Sequence, residues 1–330
     1  MSSDVSNSLQ KWVRLPPNSG LTDLKPVSIY DVTKFPDTRT QKLRSLLEQG
    51  HVTVAPLRDP ELILHSHLPH ICSLPWISMI ELVPIARGFI RGTAVSKENW
   101  RHFLTCKVYT VTYRDFFDNQ VKENQGYLGK VLEEYLYSGE ALMNGYTGGL
   151  GRPFIHLAYA YEFRSKEVAT QALSQGCTEY NALHTLLDQA PPDSSKYKTG
   201  SLAVVFESMR QDPQLDDLFN KPGINNINLL SQEQNLAVVL EHWNAWEVIN
   251  PLAQLEESCD LAVLLALSNG NPRDSFDLFN VHIMTVAHAL RMLWHYFPTS
   301  RGVSILKQYA LFGIMTYICQ LRPQFSLDWI

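Results

Sequence analysis

Histidine is the residue type with the most chemistry to offer in this chain, and its eleven copies are unevenly placed. His65, His67 and His70 fall close together, while His282, His288 and His295 recur along one apolar segment. On a helix His67 and His70 stand three apart and project from one face, where both imidazoles can reach one ion. A histidine on an apolar face elsewhere would complete such a set, since neutral imidazole suits iron, copper, zinc and nickel alike. His156 lies in a third place, the aromatic segment Arg152-Pro153-Phe154-Ile155-His156-Leu157-Ala158-Tyr159-Ala160-Tyr161-Glu162. Taken singly, each histidine reads as a hydrogen-bonded core residue. Several buried together favour a metal, because clustered imidazoles that stay neutral need something to share.

Other chemistries leave weaker marks. Gly148-Gly149-Leu150-Gly151 lacks the spacing of a dinucleotide cradle and follows no strand pattern, so it reads as a glycine turn before a proline-started helix. No GxSxG elbow, HExxH pair or Walker loop is present. The five cysteines are scattered and form no CxxC pair, which fits neither a thiolate zinc site nor a disulfide framework. A Ser/His/Asp or Cys/His triad stays open, because its members need not be neighbours in sequence.

The elements that must position these groups are helices. After an irregular arm over residues 1–40, marked by Pro16, Pro17, Pro26 and Pro36, the apolar period is close to 3.6 almost everywhere. The pattern predicts two helices over Glu61 to Ile90, others over Asn99 to Phe117 and Gly129 to Met143, and two more within Pro153 to Leu187. Asp188 to Gly200, with its Pro191-Pro192-Asp193 run, is the clearest loop and reads as a connection within one domain. Ser201 or Thr199 should cap the next helix, which Asp212-Pro213 ends. A helix over Gln234 to Ile249 follows, with Trp243 and Trp246 on its core face. Ser275 to Phe297 and Ile305 to Cys319 are apolar nearly all round and should be buried on all sides. The reading is all-α, one large multi-helix domain over residues 41–330.

Composition bounds the partners. The formal charge is −5, without basic runs, which argues for no nucleic-acid partner. Charged residues make up 18% and apolar residues 45%, a balance that demands a large interior. The apolar stretches Leu261 to Leu267 and Tyr309 to Cys319 are shorter than a membrane span, and the N-terminus lacks secretory-signal character. The expectation is a cytoplasmic protein with no membrane association.

Three of these segments together resemble the questin oxidase-like family. His67-Leu68-Pro69-His70 resembles its N-terminal histidine motif, and Arg152 to Phe163 looks like its HP[LF]IHLGYALEF segment. Phe279-Asn280-Val281-His282-Ile283-Met284-Thr285 is similar to its late segment of aromatics, a Met-His pair and a Val/Thr pair. Tyr113 to Phe117 and Val131 to Leu136 fit in the same order, so the resemblance spans roughly residues 60 to 325. It implies a mostly helical oxygenase of secondary metabolism, opening or oxygenating the ring of an aromatic polyketide such as an anthraquinone. It also implies non-haem iron, Fe(2+), held by histidines and a carboxylated lysine, with NADPH as a possible electron donor. Position by position, His67, His70, His156 and His282 become the metal ligands, and Arg152, Tyr159 and Glu162 the catalytic groups. Arg152 stands where the family has a histidine, and a guanidinium cannot ligate a metal. Lys307 is the only lysine in the buried C-terminal helix.

Three functions follow. The first is an iron oxygenase acting on a small aromatic substrate. The second keeps the pocket without metal, Arg152 polarising a carbonyl or phenolate and a histidine acting as base, in a cyclase, isomerase or hydrolase. The third is a non-catalytic helical binding protein.

Overall fold

Asp37 opens the first helix by accepting the Thr40 N–H at 3.0 Å and the Thr40 hydroxyl at 2.6 Å. The computed structural model describes residues 26–58, 64–69, 94–139, 141–267 and 277–324. Over these residues the fold is all-α. Strand-like pairing among them is confined to a two-residue ladder, Leu57–Arg58 against Leu64–His65, and an isolated parallel bridge between Thr199 and Trp246. The described chain forms two compact units that divide between Asp188 and Gln189, at the start of the proline-rich loop.

The first unit runs from Val27 to Asp188. Its helices are α1 (Thr38–Thr53), α2 (Thr110–Glu123), α3 (Leu128–Leu132), α4 (Gly148–Phe163), α5 (Lys166–Thr178) and α6 (His184–Gln189). The segment Tyr30 to Val32 is tied to the end of α4 by N–H donors to the Glu162 and Phe163 carbonyls. Ser165 caps α5 by accepting the Val168 N–H. Leu43, Leu46, Leu47, Leu68, Phe163 and Val168 form one cluster of its core. The helix expected over Asn99 to Phe117 is instead two 3₁₀ turns, Trp100–Phe103 and Lys107–Tyr109, that lead into α2. The pattern over Gly129 to Met143 breaks similarly, into α3, a π-helical turn at Glu133–Tyr137 and a 3₁₀ turn.

The second unit begins at Gln189. It holds α7 (Leu202–Gln211), α8 (Ile227–Leu230), α9 (Glu233–Ala245), α10 (Pro251–Leu267), α11 (Leu278–Leu293) and α12 (Gly302–Cys319). Ser201 caps α7 as its sequence suggests, accepting the Val204 N–H. α12 is the core helix, buried almost throughout. Together with the turn before it, Thr299–Cys319 is apolar and long enough to cross a membrane by composition, so the expectation that no stretch reaches that length is corrected; 83% of its apolar window is buried inside the protein. Gly313 lets α12 approach closely: a Cβ there would sit 3.3 Å from the Phe206 ring. α11 is not buried on all sides, because Leu278 and His288 are exposed. Lys307 Nζ donates to the Trp243 and Trp246 carbonyls at the end of α9, and burial lowers it to about 8.

Glu257 on α10 is fully buried. Its Oε1 accepts the Ser201 hydroxyl and the Ala203 N–H, while Oε2 has no partner among the described residues. Burial pushes this carboxyl up to about 7, against the pull of those donors. Folding therefore raises the acid's pKa, and the folded state holds the extra proton between the ordinary glutamate range and pH 7. The contribution of Glu257 to stability should be full at pH 4.5 and below and be lost as pH rises through about 7, by about 3 kcal/mol in all. Denaturant unfolding at pH 5 and pH 8 should show that slope in the wild type, and Glu257→Gln should flatten it.

Candidate functional site

The segment that carries Arg152 and His156 starts from an unusual turn. Gly149, Leu150 and Gly151 all take left-handed backbone angles, with φ of 56°, 61° and 74°. For Leu150 this conformation is strained, by roughly 1–2 kcal/mol. The right-handed helix begins only at Arg152-Pro153, where proline's fixed φ suits a first turn and its missing N–H costs nothing. The glycine-turn reading of this stretch therefore holds. From there Arg152, His156 and Tyr159 follow at helical spacing on one face of α4.

Arg152 is buried, with 7% of its surface exposed. Burial lowers its guanidinium to about 10, which leaves it charged at neutral pH. Its Nη2 donates to His67 Nε2 at 2.6 Å. Since a guanidinium only donates, this contact fixes the His67 tautomer: Nε2 is the acceptor and the proton sits on Nδ1. Nδ1 donates in turn to the His65 carbonyl at 2.9 Å.

His156 is fully buried and repeats the pattern. Its Nδ1 donates to the Arg152 carbonyl at 3.3 Å, and its Nε2 accepts from the Gln175 amide nitrogen at 3.3 Å. Gln175, on α5, also reaches the Pro56 carbonyl at 3.5 Å, while its buried Oε1 has no partner among the described residues. Beside the turn, His65 Nε2 stands 3.2 Å from Glu179 Oε1, which Lys107 also approaches at 3.0 Å.

Tyr159 stacks on Phe163 at 5.7 Å between centroids and packs against the α1 core cluster. Glu162 is half-buried, and burial raises its carboxyl above the ordinary value. His282 belongs to the second unit, on α11, where Nδ1 donates to the Leu278 carbonyl at 2.6 Å. His70 lies outside the described residues, as does most of Glu61 to Ile90. His67 does not sit on a helix: residues 64–65 pair as strand, Ser66 Oγ accepts the Leu68 N–H at 3.4 Å, and helical geometry starts at Leu68.

The structure thus brings Arg152, His67 and His156 together in one unit. His67 and His156 hold the tautomer that a metal ligand needs, with Nδ1–H anchored on a backbone carbonyl. Their Nε2 lone pairs, however, already accept N–H groups, and an ion at His67 would lie against a guanidinium. As arranged, these residues do not fit a divalent cation, and within each unit no three His, Cys, Asp or Glu side chains among the described residues gather to hold one. Gln175 was not anticipated. Its signal is a polar row, Gln171, Ser174, Gln175 and Thr178, on a helix buried on nearly every side, since buried polar groups demand partners.

Helical units, a buried guanidinium, a buried imidazole at His156 and an exposed one at His67 define a helical protein with a polar site reaching from its core to its surface. A family profile described as questin oxidase-like matches residues 83–330, and the chain belongs to that family. The match takes in Arg152, His156, Tyr159, Glu162 and His282 and begins after His67 and His70. No curated protein matches the sequence.

Gly148 fixes where α4 starts. A Cβ at this position would lie 1.6 Å from the Glu179 carbonyl oxygen, a backbone atom that cannot step aside. Gly148→Ala should lower stability by about 3 kcal/mol or more, read as a lower melting temperature or loss of soluble protein.

Proposed function

We propose that the protein is an oxidoreductase acting on a small aromatic polyketide, anthraquinone-like in class, and that Arg152 with His67 binds an oxygen of that substrate. The family supports the reaction class. The single observation that carries the binding role is the buried, charged guanidinium set 2.6 Å from a neutral imidazole. A fixed cation in a poorly solvated setting attracts a phenolate or polarised carbonyl more strongly than it would in water. It also offers the planar, forked donor pattern that such oxygens match.

In this reading Arg152 favours the ionised form of a substrate phenol. The neutral His67 can accept the phenolic proton as Arg152 turns from it to the oxyanion. Phenolate formation enriches the ring in electrons, which favours its attack by an electrophilic oxidant. Glu162, ten residues further along α4 and with its carboxyl raised by burial, is the proton donor we propose on its chemistry. Iron(II) and NADPH are the cofactors this reaction class calls for. The same Arg152–His67 pair also suits a metal-free cyclase, isomerase or hydrolase, since one member stabilises an oxyanion and the other moves a proton.

The test is consumption of O₂ or NADPH by purified protein with hydroxyanthraquinones, alongside iron analysis. Arg152→Lys should lower kcat/KM by roughly 100-fold while the fold is kept, because an ammonium lacks the fork. Arg152→His should lose turnover and gain no iron. If Arg152→His instead takes up stoichiometric iron and keeps activity, the imidazole set holds the metal and the guanidinium role fails. Conversion without any oxidant would select the cyclase-type reading. His184→Ala, altering a half-buried pair with Asp188 at 2.6 Å, should change neither iron content nor turnover.

A further inference from the structure

The second unit contains a hydrogen-bonded row that the Arg152 site does not use. Tyr197, in the loop before α7, places its hydroxyl 2.9 Å from His242 Nδ1. His242 Nε2 lies 2.9 Å from Asp212 Oδ2. Because a carboxylate only accepts, Nε2 carries the imidazole proton and Nδ1 presents the lone pair that receives the phenol's O–H. His242 is buried, with 3% of its surface exposed, while Tyr197 is half-buried. The Ser208 hydroxyl is also within reach of the phenol oxygen.

The partner of the phenol is what distinguishes this row. Tyr113 and Tyr317, both buried, donate instead to backbone carbonyls that cannot take a proton, those of Trp100 and Pro323. Imidazole can take it, and a carboxylate behind the ring stabilises the imidazolium that results. One-electron oxidation makes a phenol strongly acidic, so a tyrosine gives up an electron readily only where its proton has somewhere to go.

We infer that Tyr197 is a redox-active tyrosine, with His242 as its proton acceptor and Asp212 as the positioning carboxylate. In the step, a one-electron oxidant of the oxygen-radical or high-potential metal-complex class takes one electron from the phenol. The O–H bond breaks, the proton moves to His242 Nδ1, and the products are a neutral tyrosyl radical, an imidazolium paired with Asp212, and the reduced oxidant. Return of the electron draws the proton back. Two resting states favour this. Burial, reinforced by the nearby Glu241 and Asp212 carboxylates, holds the phenol up at about 12, so its proton is in place at neutral pH. Burial alone would raise Asp212, but the Gln214 N–H and His242 bring it below the ordinary value, so it is ionised. Use of the radical in the cell as an electron relay rests on the oxidoreductase reading above; the chemistry of the row does not.

Flash-quench oxidation of the full-length protein with photogenerated tris(bipyridine)ruthenium(III) tests it directly. The wild type should form a neutral tyrosyl radical, seen by transient absorption and by electron paramagnetic resonance. Tyr197→Phe should remove most of that prompt signal. His242→Gln is the decisive variant. Its amide can still donate to Asp212 and accept from Tyr197, but it cannot take a proton. Radical formation should slow by roughly tenfold or more, as for loss of a positioned base. Circular dichroism and melting temperature should stay near wild type. Radical formation at the wild-type rate in His242→Gln, or an unchanged prompt signal in Tyr197→Phe, overturns the assignment and leaves the row a tether for the loop. Neither outcome depends on whether the protein oxidises an aromatic polyketide.

Discussion

The arrangement of the first unit depends on how closely the start of α4 can approach the end of α5. Gly148 sits against the Glu179 carbonyl, and a Cβ on Gly176 would lie 2.2 Å from the Tyr146 ring. Neither position admits a side chain. This close approach lets His156 bury completely and meet Gln175 across the helix pair, and it delivers Arg152 one turn earlier on the same face. The left-handed turn at Gly149–Gly151 is the local cost. It reverses the chain tightly enough for a helix to start beside a neighbour it touches at once. Strain of this kind persists only where surrounding packing over-determines it, and such positions gather at functional sites.

Both units then solve one problem, the burial of polar groups in cores with little charge. In the first, His51 Nε2 meets Asp118 at 2.8 Å, Thr170 donates to the other Asp118 oxygen at 2.6 Å, and Gln171 meets His51 Nδ1 at 3.1 Å. This closed network joins α1, α2 and α5, and every member is satisfied by another. In the second, Trp243 Nε1 donates to the Lys307 carbonyl at 2.7 Å, and the Lys307 ammonium lies 4.5 Å from the Trp243 ring centroid. The ammonium that satisfies the last carbonyls of α9 is thereby engaged in holding two helices together.

Much of this was legible in the sequence, because it rests on local rules. The Ser201 cap, the proline-started helix after the glycine turn and the burial of α12 follow from spacing and side-chain chemistry within a few residues. What could not be read is what depends on distant partners. Gln175 meets a histidine on another helix, and Glu257 accepts from Ser201, far away in the chain. α11 misled for a different reason. Leu278 and His288 lie at positions that apolar counting assigns to the core, yet a helix this apolar can still leave part of its surface to solvent. His67 fell outside a helix because a two-residue strand pairing, too short to leave a period, uses the residues just before it.

Arg152 alters what the site can be while keeping how it is oriented. A metal would select the Nδ1–H tautomer of His67 and His156, with Nε2 facing the ion. The guanidinium and the Gln175 amide select the same tautomer, because both approach Nε2 as donors. The carbonyls of His65 and Arg152 that anchor the two rings would serve either case unchanged. A positive charge therefore stands beside preoriented neutral imidazoles, but it belongs to a side chain with its own forked geometry rather than to an ion with open coordination positions. Such a charge binds and polarises an oxygen. The imidazole of His67, whose Nε2 accepts from that guanidinium at 2.6 Å, is the neutral group that stands closest to the charge.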